Sequence, residues 1–137
     1  MAAAIRWLRI AYWIGAIVDL VAAVQMVRPG LMAFGMRLDN FAPGADYRYA
    51  TGMGASLMLG WTALLIWADR KPIERRGILP LTVFPVVVGL ALNEAAAIVD
   101  GFLSVFAVAP IWALQAVLAV LFLGAYRRAG RALAASV

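Results

Sequence analysis

The sequence predicts an all-α integral membrane protein: a four-transmembrane-helix bundle that forms one domain over residues 1–137, with both termini in the cytoplasm. Hydrophobic residues make up 66% of the chain and charged residues only 14%, and mean hydropathy is +0.92. These values are far from those of a soluble domain. Four apolar runs each reach about 20 residues, the length that an α-helix needs to cross a bilayer. Basic residues stand at the ends of these runs.

The first predicted span runs from about Leu8 to Val27 and ends before Pro29. A signal peptide is the competing interpretation, because two arginines precede the apolar run. The run is too long for a signal peptide, contains Asp19 and has no convincing cleavage site. We therefore interpret it as a membrane span.

The second predicted span, from about Tyr49 to Ala68, follows a long loop over residues 28–48. Leu, Met and Phe are too frequent in this loop for a free linker, so we expect a short helix lying at the membrane interface. The charged run that begins at Asp69 ends the span.

The third predicted span covers residues 78–99 and the fourth covers residues 107–126. Pro85 lies about two turns into the third span and should kink it, because proline removes a backbone hydrogen bond. Pro110 lies in the first turn of the fourth span, where a missing amide hydrogen is tolerated.

The distribution of basic residues predicts the orientation. Nine of the twelve Lys and Arg residues flank the spans on the side of the two termini. They are Arg6, Arg9, Arg70, Lys71, Arg75, Arg76, Arg127, Arg128 and Arg131. Because basic flanks stay in the cytoplasm, both termini are predicted inside and loop 28–48 outside. Arg greatly outnumbers Lys, which favours a bacterial source, so the predicted location is the bacterial inner membrane as a multi-pass protein.

Two acidic residues within the spans are the candidate catalytic residues. Asp19 lies near the middle of the first span, and Glu94 lies in the third. An ionised Asp at the bilayer centre costs roughly 2.5–3.5 kcal/mol on insertion scales, so a chain that keeps one usually has a partner or a function for it. Structural roles stay open: Asp19 hydrogen-bonded to Gln115, and Glu94 paired with Arg48.

Helical phase predicts that Asp19 points into the bundle. Seven residues of the first span share its face, and four of them are Gly or Ala, which lets another helix approach closely. The seven are Tyr12, Gly15, Ala16, Asp19, Ala22, Ala23 and Met26. The second span offers Gly52, Ser56 and Gly60 as a matching surface, or as a contact between two copies of the chain.

Six further residues are candidates for substrate binding: Tyr12, Trp13, Arg48, Asn93, Trp112 and Gln115. The aromatic residues could shield a developing cation, and Arg48 could reach Glu94 by extending along the membrane boundary. At a rise of about 1.5 Å per residue, Gln115 lies at the depth of Asp19, and Asn93 with Glu94 lies nearer the outer face. A polar cavity is therefore expected to open toward the outer half.

Composition excludes several classes of function. The chain contains no Cys and no His, so disulfides, thiol chemistry and the usual haem, zinc and non-haem iron ligands are absent. We expect no metal and no cofactor. The basic residues form no continuous stripe, so the expected anionic partner is the lipid bilayer and not a nucleic acid.

Three functions fit this pattern. The first is a small membrane enzyme in which Asp19 and Glu94 act as general acid and base on a lipophilic substrate, by isomerisation, cyclisation or epoxide opening. The second is a proton-coupled transporter or channel, which would act as a homo-oligomer because four helices enclose little space. The third is an accessory subunit of a larger membrane complex. The sequence does not separate them.

The orientation can be tested with reporter fusions. A reporter that is active only in the cytoplasm should be active after Val137 and inactive when inserted near Pro43. The reverse pattern would show that the nine basic residues do not set the topology.

Overall fold

The computed structural model describes residues 1–38 and 41–135, and within them it contains helices and no strand. The elements are α1 (Ala2–Val27), α2 (Pro29–Met36), α3 (Ala45–Asp69), α4 (Ile78–Leu81), a π-helical segment (Thr82–Val87), α5 (Val88–Val99) and α6 (Val105–Ala134). Two positions of the predicted loop 28–48, residues 39 and 40, lie outside the described residues, as does Val137. The all-helical prediction is confirmed.

Four helices are long and apolar enough to cross a membrane: α1, α3, a third long helix over Ile78–Val99, and α6. The third long helix consists of α4, the π-helical segment and α5. The helices α1 and α6 extend beyond the predicted spans at the ends that carry the chain termini. These features favour a multi-pass membrane protein.

The helix α1 packs most extensively along α3 and also against α6. Its buried face carries Gly15, Ala16, Asp19 and Ala23, while most of its larger aliphatic side chains, such as Ile17 and Val21, are exposed. In a bilayer, lipid is as apolar as a protein interior, so close packing selects small residues for the helix interface. The predicted inward face of the first span is confirmed.

The stripe of small residues predicted on the second span is not the surface that packs against α1 within one copy of the chain. Helix α3 packs through Ala55, Met58, Thr62, Leu65 and Ala68, whereas Ser56 and Gly60 are exposed. The small-residue stripe therefore lies mostly outside the interface with α1. The bulkier Met58 and Leu65 fit there because α1 supplies the small residues at that interface.

The main hydrophobic core lies at the end of the bundle that carries both termini, called here the termini end. It includes Leu8 and Tyr12 of α1, Leu65 of α3, Leu79 of α4 and Phe122 of α6. All four long helices therefore meet at this end. At the same end, the Arg128 guanidinium lies over the Trp7 ring, 4.4 Å from its centroid, which places the two termini side by side.

The third long helix departs from α geometry around Pro85, in the π-helical segment Thr82–Val87. Proline cannot donate a backbone hydrogen bond, and π-type turns accommodate the missing bond. Before this segment in the chain, the helix packs into the core at the termini end. After it, in α5, Glu94 is the only buried residue. The helix irregularity that was predicted at Pro85 thus separates a well-packed half of this helix from a loosely packed half.

The loop after α1 contains the short helix α2, as the sequence predicted. Pro29 occupies its first turn, where its fixed backbone angle suits the start of a helix. The helix ends at Arg37, whose φ of 55° is in the left-handed region. The helix α2 contacts α1 and α6 and therefore covers the end of the bundle opposite the termini, called here the α2 end.

Close packing between α1 and α6 can be tested at Gly15. A Cβ atom at this position would lie 2.9 Å from Cζ of Phe122 and 3.0 Å from Cδ1 of Leu65, so Gly15→Val should destabilise the protein by about 1–3 kcal/mol through overpacking. Gly60→Val is the matched control, because a Cβ atom there meets nothing within 4 Å. Thermal unfolding in detergent should show a lower Tm for the first variant only. Equal Tm values would contradict the packing.

Candidate functional site

A cavity of about 430 Å³ lies between α1, α2, the third long helix and α6. Most of its wall is apolar. Four buried polar side chains also line it: Asp19 from α1, Thr82 from the π-helical segment, Glu94 from α5 and Gln115 from α6. A largely apolar pocket with a few convergent polar groups is the usual form of a small-molecule site. The core at the termini end, including Phe122, forms its floor.

Glu94 and Gln115 form a direct contact across the cavity. The Gln115 amide nitrogen donates hydrogen bonds to both Glu94 carboxylate oxygens, at 3.0 and 3.1 Å. Each of the two residues is 9% exposed. The Trp112 indole, one helical turn before Gln115, also approaches the Glu94 carboxylate. Hydrogen bonds from a donor favour the charged form of a carboxyl group, whereas burial favours its neutral form, and both effects act on Glu94.

Asp19 is buried in a different environment. It is 7% exposed, and its Oδ2 atom has no hydrogen-bond partner. Its neighbours along the buried face of α1 are Gly and Ala, which present no donor side chain. An unpaired carboxyl group in an apolar interior is far cheaper to bury when it is neutral than when it is ionised. The two buried acids therefore differ in their hydrogen-bonding environment, since Glu94 has a side-chain donor and Asp19 has none among the described residues.

A second residue that lines the cavity contains a buried acceptor without a hydrogen-bond partner among the described residues. The Gln115 amide oxygen, Oε1, is buried without a hydrogen-bond partner, because the residue uses its nitrogen for Glu94. Buried polar atoms are almost always satisfied in native proteins, so two unsatisfied acceptors in one cavity need an explanation. The described residues that line the cavity include no Arg or Lys to satisfy them.

The helix arrangement leaves the cavity partly open at its side. The helices α1 and α5 do not pack extensively against each other; each packs against α6 instead. The cavity is thus a cleft between α1 and α5 with α6 as its back wall.

Four methionines line part of the cavity, which the sequence analysis did not predict. Met26, Met32, Met36 and Met58 line the cavity from α1, α2 and α3. Met32 and Met36 lie one helical turn apart on α2, and this spacing was the available signal for a face directed at the bundle. Unbranched, polarisable Met side chains adapt to differently shaped apolar ligands.

Two predicted site residues lie outside this cavity. Asn93 is exposed, so the prediction that it points into the interior was wrong; Glu94, about 100° away on the helix, occupies the inward position. Arg48 is also exposed, and no ion pair joins it to Glu94 among the described residues. Gln115 takes the position next to Glu94 that Arg48 was expected to take.

Three predicted aromatic residues also do not line the cavity wall. The Tyr12 hydroxyl donates to the Pro72 carbonyl oxygen at 3.3 Å, within the core at the termini end. Trp13 is exposed, and its indole nitrogen donates to Asp69 at 3.3 Å. Both tie α1 to the end of α3 and the turn that follows. Trp112 is partly exposed and approaches Glu94 from beside the cavity.

Comparisons with known proteins found no match to a protein-family model, to a curated protein or to a solved structure. Within residues 1–38 and 41–135 no group of three acidic, His or Cys side chains could hold a metal ion. The properties of the site therefore follow from its own geometry.

The Glu94–Gln115 contact should couple the stability of α5 to that of α6. Gln115→Leu leaves a buried carboxyl without its donor and should cost about 1–3 kcal/mol. Adding Glu94→Leu should recover most of this loss, because two apolar residues need no partner. Asn93→Leu is the control and should cost little, since the residue is exposed. Unfolding of wild type and the three variants in one detergent measures the coupling, and a double variant no more stable than Gln115→Leu would contradict the contact.

Proposed function

We propose that this protein is a small membrane-embedded enzyme that carries out general acid and base chemistry on a lipophilic substrate. The observation that carries the proposal is that one cavity contains two buried carboxyl groups in unlike surroundings, Asp19 without a partner and Glu94 held by Gln115. Pairs of acids whose environments favour different protonation states are typical of acid–base sites.

The surroundings suggest the role of each group. Asp19, neutral in its apolar environment, is the proton donor. Glu94, with the Gln115 amide donating to both of its oxygens, is the proton acceptor. Isomerisation, cyclisation and epoxide opening each need one proton delivered and one removed, and none needs a metal or a thiol. A proton then has to return from Glu94 to Asp19 before the next turnover.

The size and lining of the cavity support a lipophilic substrate. A volume of about 430 Å³ falls in the range of small-molecule sites. Its wall is mostly apolar, and the cleft between α1 and α5 supports access from the bilayer without passage through water. The methionines of α2 then cover the substrate at the α2 end.

We place this chemistry in a bacterial inner membrane, with both termini in the cytoplasm. Nine basic residues at the termini end support this orientation. The α2 end then lies at the outer face, and the cavity extends from Phe122 toward that face as far as Met36. The bilayer and a lipophilic small molecule are the partners that this arrangement requires.

The roles of the acids can be tested with isosteric amides. Asp19→Asn and Glu94→Gln should fold, because each amide fits the same space and is cheaper to bury than an ion. Each should abolish turnover with substrate binding largely kept, since the proton is needed in the transition state more than in the ground state. Asn93→Gln, an exposed amide next to Glu94, is the control and should keep full activity.

The assay does not require the substrate to be known in advance. Wild-type protein and the variants, reconstituted in nanodiscs, are incubated with a lipid extract from cells that lack the protein, and the extract is compared by chromatography and mass spectrometry. We expect one compound to be converted by wild type and by Asn93→Gln but not by the two amide variants. Conversion by all four proteins would make the carboxyl groups structural and would favour the accessory-subunit interpretation.

A further inference from the structure

We infer that the seam between α1 and α6 at the termini end, which begins at Trp7 and Arg128, binds an anionic phospholipid. This surface lies outside the cavity, and its role does not depend on the proposed enzyme. The segments at the termini end contain nine basic and two acidic residues, so their formal side-chain charge is +7. The segments at the α2 end, residues 28–48 and 100–104, contain three of each and are formally neutral. Anionic lipids are therefore attracted to one end of the bundle only.

Both acidic residues at the termini end are already paired. Asp69 forms an ion pair with Arg9, and Glu74 forms one with Lys71. The other seven basic side chains at this end have no carboxylate partner among the described residues. The seam holds most of this surplus, because α6 contains no acidic residue and α1 contains none before Asp19. Four exposed arginines without a carboxylate partner belong to these two helices: Arg6, Arg127, Arg128 and Arg131.

The Trp7 ring positions one of these guanidinium groups at the seam. The Arg128 guanidinium lies over the ring, 4.4 Å from its centroid. A stacked guanidinium uses its flat face for the ring, while its N–H groups lie in its plane and match the oxygens of a phosphate. Arg131 follows one helical turn later on the same face of α6. Two arginines thus stand together where a phospholipid phosphate would lie.

Apolar surface continues from the arginines toward the α2 end. On α1, Ile10 and Ile14 follow Trp7 at i+3 and i+7 spacing, and both are exposed. On α6, Gly124 lies one turn before Arg128, and a Cβ atom there would meet nothing within 4 Å, so the helix surface is open at this point. A phospholipid offers an anionic head group to the arginines and apolar chains to this surface. A soluble polyanion would use the arginines alone.

The preference can be measured on the full-length protein in detergent. The protein is titrated with dioleoyl phosphatidylglycerol and with dioleoyl phosphatidylcholine, which share their chains and differ in head-group charge, and bound lipids are counted by native mass spectrometry. The anionic lipid should bind at least about fivefold more tightly, the effect of one basic residue at a lipid surface. Equal binding of the two lipids would overturn the inference.

A second titration separates a lipid from a soluble anion. Glycerol 3-phosphate carries a phosphate without the chains, and at equal concentration it should not displace bound phosphatidylglycerol. Displacement would show that the apolar surface contributes nothing to binding. That result would overturn the assignment to a lipid and would favour a soluble anionic partner.

Variants locate the preference at the seam. Arg128→Gln combined with Arg131→Gln should lower the ratio of phosphatidylglycerol to phosphatidylcholine binding at least about fivefold. Arg28→Gln combined with Arg48→Gln is the matched control, because it removes the same charge from exposed positions at the α2 end, and it should keep the ratio. Trp7→Leu should lower the ratio as well, since Arg128 then loses the ring that positions it, whereas Trp7→Phe keeps an aromatic face and should keep most of it.

Two results of the variant experiment would overturn the inference. An unchanged ratio after loss of the two seam arginines would show that the lipid binds elsewhere. An equal loss in both double variants would show that net charge, and not this seam, sets the ratio. Should Trp7→Leu not fold, the four arginine positions still decide, because all of them are exposed.

Discussion

The contact between Glu94 and Gln115 is the interaction on which the α2 end of the bundle depends. Glu94 is the only buried residue of α5, and Gln115 on α6 donates to both of its oxygens. Apart from Asn93, the exposed side chains of α5 are apolar, and lipid contacts those as favourably as protein would. Without this polar contact, little would hold α5 at a defined distance from α6. The width of the cavity follows from that distance.

The fold itself could be predicted from the sequence because membrane insertion imposes strong constraints. A span must be apolar for about 20 residues, and its backbone must be helical to satisfy its own hydrogen bonds. These constraints made the four long helices predictable. The missing amide hydrogen of Pro85 made the irregularity in the third one predictable as well. They say less about which face of a helix points inward, since the lipid side and the protein side are equally apolar. Only small and polar residues carry that information.

This limit explains which inward faces were predicted correctly. On α1, Asp19 is accompanied by Gly and Ala at helical spacing, and the face they define is the buried one. On α5, Asn93 and Glu94 are adjacent polar residues about 100° apart, and the surrounding apolar residues do not distinguish between them. The buried Leu79, Val83 and Val87 continue to Glu94 at helical spacing. That continuity becomes evident only once the buried part of the helix is known.

The partner of Glu94 could not be derived from depth. A straight-helix estimate matched Gln115 with Asp19 and placed Arg48 near Glu94, yet Gln115 bonds to Glu94. Helix tilt and the π-helical segment shift the relative heights of residues, and two long side chains can bridge the remaining difference. This pairing has a chemical consequence. Because the Gln115 nitrogen donates to Glu94, its oxygen has no hydrogen-bond partner among the described residues, and Gln115 does not supply the donor to Asp19 that the sequence suggested. The hydrogen bonds that position α5 thus leave Asp19 as the buried acid without a side-chain donor in the described part of the chain.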